Sequence, residues 1–200
     1  MQQRIVEEAH KLFLTYGIRS ISMDDIAHKL GISKKTIYQY FEDKDALVDA
    51  VVSIEMTHHK EECNQQKICC DNAIHEIYIA LENISALLKS MRPIVFFDLK
   101  KYHPTIFKKL NAHKNHFFYE IIKDNLERGI TEGLYRPEIN IEILSKYRIT
   151  SIFLVLENEE SLQDKINLTD TMQEITEVFL YGIATPKGIK MIKKYKQRIK

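Results

Sequence analysis

One short stretch of the chain is rich in side chains that bind phosphates and base edges. Residues 33–41 read SKKTIYQYF, with two lysines, a threonine, two tyrosines and a glutamine but no acid. Ammonium, hydroxyl, phenol and amide groups donate hydrogen bonds to phosphate oxygens and to polar base edges in a DNA groove. This composition favours contact with nucleic acid over bond-breaking chemistry.

The residues before this stretch predict how it is positioned. Ser22 is followed three residues later by Asp25, which is the spacing of a capping box, so a helix is expected to begin there. Gly31 ends that helix, because glycine accepts the positive φ of a tight turn. Ser33 then caps the next helix.

The third helix is expected over residues 34–40, with Ile37 and Phe41 facing inward at i and i+4. Two short helices joined by a tight turn form a helix-turn-helix, whose second helix lies in the major groove of DNA. The polar side chains left exposed on it are Lys34, Lys35, Thr36, Tyr38, Gln39 and Tyr40.

The rest of the chain also has helical periodicity, and the expected fold class is all-α. A first helix ends at Gly17, Asp43 caps a fourth helix, and only 6 Gly and 4 Pro occur in 200 residues. Further helices are expected near residues 71–89, 104–132, 139–157 and 168–183, with a polar loop at 158–165.

Composition excludes several classes of protein. The longest uncharged run is nine residues, far short of the roughly twenty that a transmembrane helix needs. Charges interrupt any secretory segment at the N-terminus, and three cysteines make no disulfide framework, so a cytoplasmic location without a membrane partner is expected. Nucleotide-binding, hydrolase and zinc-protease motifs are absent, so we expect neither an enzyme nor a cofactor.

Charge is distributed unevenly. Residues 1–49 carry seven basic and eight acidic side chains, whereas residues 187–200 carry seven basic side chains and no acid. The tail keeps an amphipathic stripe of Ile189, Ile192, Tyr195 and Ile199. It is expected to pack on the acidic body of the protein, with a membrane surface or DNA as the alternatives.

Residues 17–48, GIRSISMDDIAHKLGISKKTIYQYFEDKDALV, resemble the DNA-binding domain of the TetR family of transcriptional regulators. The matching pieces are Ile26-Ala27, Gly31-Ile32-Ser33, Thr36-Ile37-Tyr38, Tyr40-Phe41 and Lys44-Asp45-Ala46-Leu47. The resemblance implies a three-helix DNA-binding domain at 1–49 and a helical bundle for ligand binding and dimerisation at 50–200. Lys35 stands where many relatives have a small residue, so operator preference does not carry over.

The same resemblance implies roles for individual residues on double-stranded DNA. Phosphate contacts are expected from Ser22, Thr36, Tyr40 and Lys44. Base edges or neighbouring phosphates are expected for Lys34, Lys35, Tyr38 and Gln39. Backbone N–H groups from Ser33 onward add a phosphate site at the start of the helix.

Residues 89–119 contain a mixture of aromatic and basic side chains. Most of these aromatics are expected in the core, and some in the wall of a pocket for an unidentified small molecule. The pocket candidates are Phe96, Phe97, Tyr102, Phe107, His113 and Phe117. Two apolar stripes, Ile141/Leu144/Tyr147/Ile152/Val155 and Met172/Ile175/Val178/Phe179, fit a four-helix dimer interface or an internal core.

Other clusters of reactive side chains have simpler interpretations. His59 and Cys63 have i, i+4 spacing beside His58, but no further ligands follow, so no metal site is expected. Cys69 and Cys70 are expected to be inert thiols rather than redox sensors.

The function expected from these features is that of a homodimeric repressor that a small ligand releases from a palindromic operator. The alternative is a DNA-bound architectural or partner-recruiting protein that has no small ligand.

Overall fold

The computed structural model describes residues 1–90, 92, 94–157 and 167–197. Within these residues the fold is all-α, as the sequence predicts, and its β-structure is one isolated bridge between Tyr135 and Ala184. The helices are α1 (Gln2–Tyr16), α2 (Met23–Leu30), α3 (Lys34–Tyr38), α4 (Lys44–Cys69), α5 (Ala73–Ser90), α6 (Ile94–Tyr102), α7 (Pro104–His113), α8 (Tyr119–Thr131), α9 (Ile141–Glu157), α10 (Leu168–Ile183) and α11 (Pro186–Lys196).

The predicted starts of α2, α3 and α4 and the predicted end of α2 are confirmed. The Ser22 hydroxyl oxygen accepts the Asp25 N–H at 3.2 Å, and Asp25 Oδ2 accepts the Ser22 N–H at 2.7 Å, which completes the capping box of α2. Gly31 has φ 66°, in the left-handed region, and Ser33 caps α3 by accepting the Thr36 N–H. Asp43 likewise accepts the Ala46 N–H at 2.7 Å at the start of α4.

Helix α3 is shorter than the predicted range of 34–40. It ends at Tyr38, and Gln39 and Tyr40 form a turn. The Tyr40 N–H bonds to the Ile37 carbonyl at 2.9 Å, a three-residue spacing that tightens the end of the helix. Periodicity does not reveal this change, because Phe41 is buried in either geometry.

The chain divides into two compact units. The N-terminal unit comprises Met1–His59 and Lys89–Ala112, and the C-terminal unit comprises Lys60–Leu88 and His113–Lys200. The predicted boundary at residue 49 separates functions, which contacts alone do not test, and it stays a prediction.

One apolar cluster forms the core of the N-terminal unit. Side chains from α1 to α4 meet there with Leu99 of α6 and Ile106 of α7, and all are buried. Fully enclosed members of the cluster are Ile5, Ala9, Ile26, Ile37 and Leu47. The three short N-terminal helices are thus held by helices from a later part of the chain.

The run predicted as one helix from Pro104 to Glu132 contains a π-helical segment, which belongs to the C-terminal unit. Residues Lys114–Phe118 form this segment, and α8 continues from Tyr119 to Thr131. The His113 and Phe117 rings stack with centroids 5.0 Å apart, and Phe118 meets Phe153 of α9 edge-on at 5.9 Å. The wider turn changes which side chains face α9.

The basic tail forms α11, which packs on its own unit. Ile192 and Tyr195 are buried, and the Tyr195 hydroxyl bonds to Asp71 and Asn72. Lys196 pairs with Glu177 at 2.5 Å. The expected packing on an acidic surface is confirmed for residues 186–196, whereas Ile199 and the polar loop predicted at 158–165 lie outside the described residues.

The stripes predicted on α9 and α10 are divided between the core and the surface. Val155, Met172 and Phe179 turn into the C-terminal unit, whereas Tyr147 and Val178 stay exposed. The exposed apolar residues of α9 differ from the predicted stripe: they are Ile143, Tyr147 and Leu154, which lie on one face at helical spacing.

Candidate nucleic-acid interface

Helix α3 is anchored on one side and open on the other. Ile37 is fully enclosed and Phe41 is buried, while Tyr38 and Tyr40 keep 45% and 43% of their surface exposed. Lys34, Lys35 and Gln39 are also exposed, and Thr36 is half-buried. Most of the predicted DNA-contacting side chains of this helix therefore share an accessible face.

One of these lysines already has an acidic neighbour. Lys34 Nζ lies 2.5 Å from Asp24 Oδ2 of α2, and this hydrogen bond raises the pKa of Lys34. Lys34 therefore stays cationic at neutral pH, 6.0 Å from the centroid of the Tyr38 ring. Asp24 was missed by the sequence analysis, since the pairing spans ten residues and two helices.

The predicted hydroxyl contacts take part in helix capping. Ser33 Oγ and Thr36 Oγ1 lie 2.8 Å apart, and Ser22 Oγ donates to Asp25 Oδ2 at 2.6 Å. Asp25 is held ionised, because its hydrogen bonds from Ser22 lower its pKa. A phosphate approaching Ser22 therefore meets a hydroxyl whose hydrogen already points to a carboxylate.

Lys44 lies at the start of α4, apart from the exposed face of α3. Its Nζ donates to the Ile18 carbonyl at 2.6 Å and lies 6.0 Å from the centroid of the Phe13 ring. Partial burial lowers its pKa, and nearby carboxylates, Asp98 first among them, act in the opposite direction. The side chain ties the turn after α1 to α4.

Helix α6 and His103, the residue that follows it, make polar contacts with the turn after α1 and with α4 that the sequence did not predict. Buried Asp98 accepts the Arg19 N–H at 2.8 Å, and Arg19 donates to the Tyr102 hydroxyl at 2.7 Å. His103 bonds to Asp45 at 2.9 Å across the same unit. The only sequence signal was Asp98 itself, the lone acid among many bases between residues 89 and 119.

Comparison with known proteins agrees with this geometry. The family model described as bacterial regulatory proteins, tetR family, matches residues 5–51, which cover α1 to α3 and the start of α4. The Bacillus subtilis (strain 168) HTH-type transcriptional regulator YvaF is 27% identical over 186 residues, covering 92% of this chain and 95% of YvaF. Over residues 5–51 the chain is therefore similar to the TetR family of bacterial regulatory proteins, and over nearly its whole length it is similar to an HTH-type transcriptional regulator.

Solved structures of transcriptional regulators share the fold over nearly the whole chain. A TetR-family regulator from Agrobacterium tumefaciens superposes with TM-score 0.75 at 17% identity, covering 92% of this chain and 97% of that one. FadR from Bacillus subtilis, in complex with stearoyl-CoA, superposes with TM-score 0.71 at 17% identity, covering 92% and 100%. At this identity the likeness establishes the fold and leaves the ligand open.

The six predicted pocket residues are divided between the two units. Phe96, Phe97, Tyr102 and Phe107 belong to the N-terminal unit, and His113 and Phe117 belong to the C-terminal unit. Phe107 packs against the N-terminal core, and Lys101 lies 5.1 Å from the centroid of the Phe97 ring. Their use in ligand binding stays a prediction.

A separate open groove of about 360 Å³ lies on the C-terminal unit. It is lined by Asp71, Asn72, Glu132, Leu134, Lys187 and Met191, and none of them is a predicted pocket residue.

The thiols of Cys63 and Cys70 lie in surroundings that lower their reactivity. Burial raises the pKa of the Cys63 thiol to about 11 and also raises that of Cys70, so both stay protonated at neutral pH. In the part of the chain that the structure describes, no three His, Cys, Asp or Glu side chains are grouped to hold a metal ion. No helix among the described residues is both long and apolar enough to span a membrane.

Proposed function

We propose that this chain is a TetR-family regulator, a cytoplasmic, non-catalytic repressor that binds a palindromic operator as a homodimer and leaves it when a small ligand binds. The observation that carries the DNA-binding part is the exposed face of α3. Tyr38, Gln39 and the two lysines project from a helix that buried Ile37 and Phe41 fix in place. We keep the assignment of Lys34, Lys35, Tyr38 and Gln39 to base edges or nearby phosphates as part of this proposal.

Phosphate contacts are proposed for Ser22, Ser33, Thr36, Tyr40 and Lys44. For Ser22 and Lys44 the proposal includes a local exchange of partners, because their polar atoms are engaged within the protein. Charged hydrogen bonds to phosphate are strong enough to replace such contacts.

The homodimer is supported by apolar side chains left uncovered on α9 and α10. Ile143, Tyr147 and Leu154 of α9 are 64%, 52% and 67% exposed, and Val178 of α10 is 61% exposed. Large apolar groups clustered on one surface mark association sites in soluble proteins. A two-fold dimer would present two α3 helices to a palindrome with half-sites spaced by whole turns of the DNA helix.

Release by a ligand is supported by the division of the chain into a DNA-reading unit and a second helical unit that has its own core. Typical coupling between ligand and DNA in such systems is about 1–3 kcal/mol. The stearoyl-CoA held by Bacillus subtilis FadR is that protein's ligand, and it indicates only that this fold accommodates a small molecule.

The test of DNA binding uses fluorescence anisotropy with DNA from upstream of the protein's own gene and a scrambled duplex, across a salt series. Specific binding is expected to survive near-physiological salt. Lys34→Ala and Tyr38→Ala are each expected to weaken it by about 5-fold to 150-fold, with unchanged thermal stability.

The matched control is Lys190→Ala, which removes an exposed lysine from α11 and should leave operator affinity unchanged. Unchanged affinity in both α3 variants would remove the assignment of that helix. Specific DNA binding that no small molecule reverses would instead favour the architectural role.

A further inference from the structure

The C-terminal unit buries an arginine that has no acidic partner among the residues that the structure describes. Arg148 of α9 is 6% exposed, and its Nη2 donates to the Thr176 hydroxyl oxygen of α10 at 2.7 Å. Its guanidinium carbon lies 5.2 Å from the centroid of the Phe179 ring. Arg148 Nη1 and the hydroxyl of fully buried Ser145 make no hydrogen bond to any residue in the described part of the chain.

The charge on this arginine persists despite its burial. Removal from water lowers the pKa of Arg148 to about 10, so the guanidinium is still protonated at neutral pH. The groups that favour its charged form are the phenols of Tyr135 and Tyr147. Tyr135 is uncharged, because complete burial raises its pKa well above its usual value. No carboxylate of the described residues is paired with this buried cation, and such a cation is unfavourable unless an anion joins it.

The polar groups of Thr176 and Tyr135, near Arg148, already have hydrogen-bond partners, so they do not supply one for Arg148 Nη1. Thr176 accepts from Arg148 and donates its own hydrogen to the Met172 carbonyl at 2.7 Å. Tyr135 donates to Asn125 at 3.2 Å, and Asn125 donates to the Ala73 carbonyl at 2.9 Å. The two unsatisfied groups, at positions 145 and 148, are i, i+3 on α9 and therefore lie on one face.

We propose that Arg148 and Ser145 bind the carboxylate of an organic acid whose remainder is apolar, and that this acid is the effector of the regulator. The inference rests on the proposed ligand-released function and names the chemistry of its ligand. Guanidinium and hydroxyl both donate to the carboxylate oxygens, and Thr176 positions the guanidinium. Arg148 is the one buried cation among the described residues of this unit, which fits a monoanion, and buried Met172, Phe179 and Leu180 on α10 fit an apolar remainder.

The binding test needs no DNA. Butyrate, octanoate, dodecanoate and benzoate are titrated into the full chain, with 1-octanol as the uncharged comparison, and both thermal unfolding and calorimetry are recorded. At least one carboxylate is expected to raise Tm and to bind about tenfold or more tightly than the alcohol. Failure of every carboxylate to bind, or equal binding of octanoate and 1-octanol, overturns the proposal.

Variants then assign the binding to this site. Arg148→Met is expected to weaken carboxylate binding about tenfold or more while keeping or raising Tm without ligand, because methionine carries no buried charge. Lys146→Met removes an exposed charge from the same helix and should bind as the parent does. Parent-like binding by Arg148→Met overturns the proposal.

Ser145→Ala keeps the test decisive if Arg148→Met does not fold. Loss of one donor is expected to weaken binding several-fold, and unchanged affinity overturns the proposal. Operator binding by each folded variant without ligand separates this inference from the proposed function. Intact operator binding without a carboxylate response refutes the effector alone, whereas absence of operator binding in the parent protein refutes the regulator.

Discussion

At the scale of single residues, the ring of Tyr135 occupies the space where a side chain at position 129 of α8 would lie. A Cβ atom there would lie 2.0 Å from Cδ2 of the Tyr135 ring, and that ring is completely buried. Alanine is preferred over glycine in a helix by about 1 kcal/mol, yet we expect Gly129→Ala to lower the free energy of unfolding by roughly 1–3 kcal/mol. Urea denaturation measures the difference.

Gly182 in α10 is the matched control for this substitution. An added Cβ would meet no heavy atom within 4 Å. Gly182→Ala should therefore leave the free energy of unfolding unchanged or raise it by up to about 1 kcal/mol. A stabilising Gly129→Ala would show that the Tyr135 ring moves aside freely.

How well individual residues could be predicted depended on how far away their partners lie. Ser22, Gly31 and Ser33 were predictable, because a cap or a turn is decided within three or four residues. Asp98 and Arg148 were not, because their burial is decided by helices far away in the sequence. Arg148 did leave a weak signal, since it is followed by eight uncharged residues before Glu157.

At the scale of elements, α11 is held against α5 by contacts that include a buried phenol. Tyr78 donates to the Ile192 carbonyl at a long 3.4 Å, and burial raises its pKa from 10.0 to about 12. Because the folded state favours the neutral phenol, Tyr78 stabilises the fold below about pH 10. That contribution is lost as pH rises from 10 toward 12.

We therefore expect Tyr78→Phe to change stability little at pH 7 and to flatten the decline in unfolding free energy between pH 10 and 12. Tyr16→Phe, which alters a phenol that is 54% exposed, should leave the alkaline decline as steep as in the parent. Urea denaturation at a series of pH values compares the three proteins. Parallel alkaline profiles for the parent and Tyr78→Phe would contradict the role of burial.

The elements themselves were largely predictable, and their faces were not. Helical periodicity located α5, α9 and α10 within a few residues, and it treated α7 and α8 as one helix. It did not locate the π-helical segment at Lys114–Phe118, because one wide turn shifts the apolar pattern by only about one residue. It left open whether Met172 and Phe179 belong to a core or to a dimer interface, since an apolar stripe has the same spacing in both cases, and the structure buries both in the core.

At the scale of the whole molecule, the exposed apolar face of α9 is the proposed dimer interface. Leu154 is 67% exposed on the same face of α9 as Ile143 and Tyr147. We expect Leu154→Glu to convert a dimer into a monomer, because a charge buried in an apolar interface without a partner is costly. Sedimentation analysis or light scattering gives the mass, and anisotropy on the full palindrome should show weaker binding.

Ile54→Glu is the control, since it places the same charge on an apolar residue of α4 that is 49% exposed. Its mass should match that of the parent. A parent protein that is monomeric at micromolar concentration, or a dimeric Leu154→Glu, would exclude α9 as the interface.

The return of residues 89–112 to the N-terminal unit limits how this protein can be recombined. Leu99 and Ile106 complete the core beneath the DNA-reading helices, and Asp98 holds the turn after α1. A chimaera that joins residues 1–49 to a foreign sensor at a single junction would leave those groups without their native counterparts. A functional chimaera therefore needs two crossover points, so that the DNA-binding helices and residues 89–112 are transferred together.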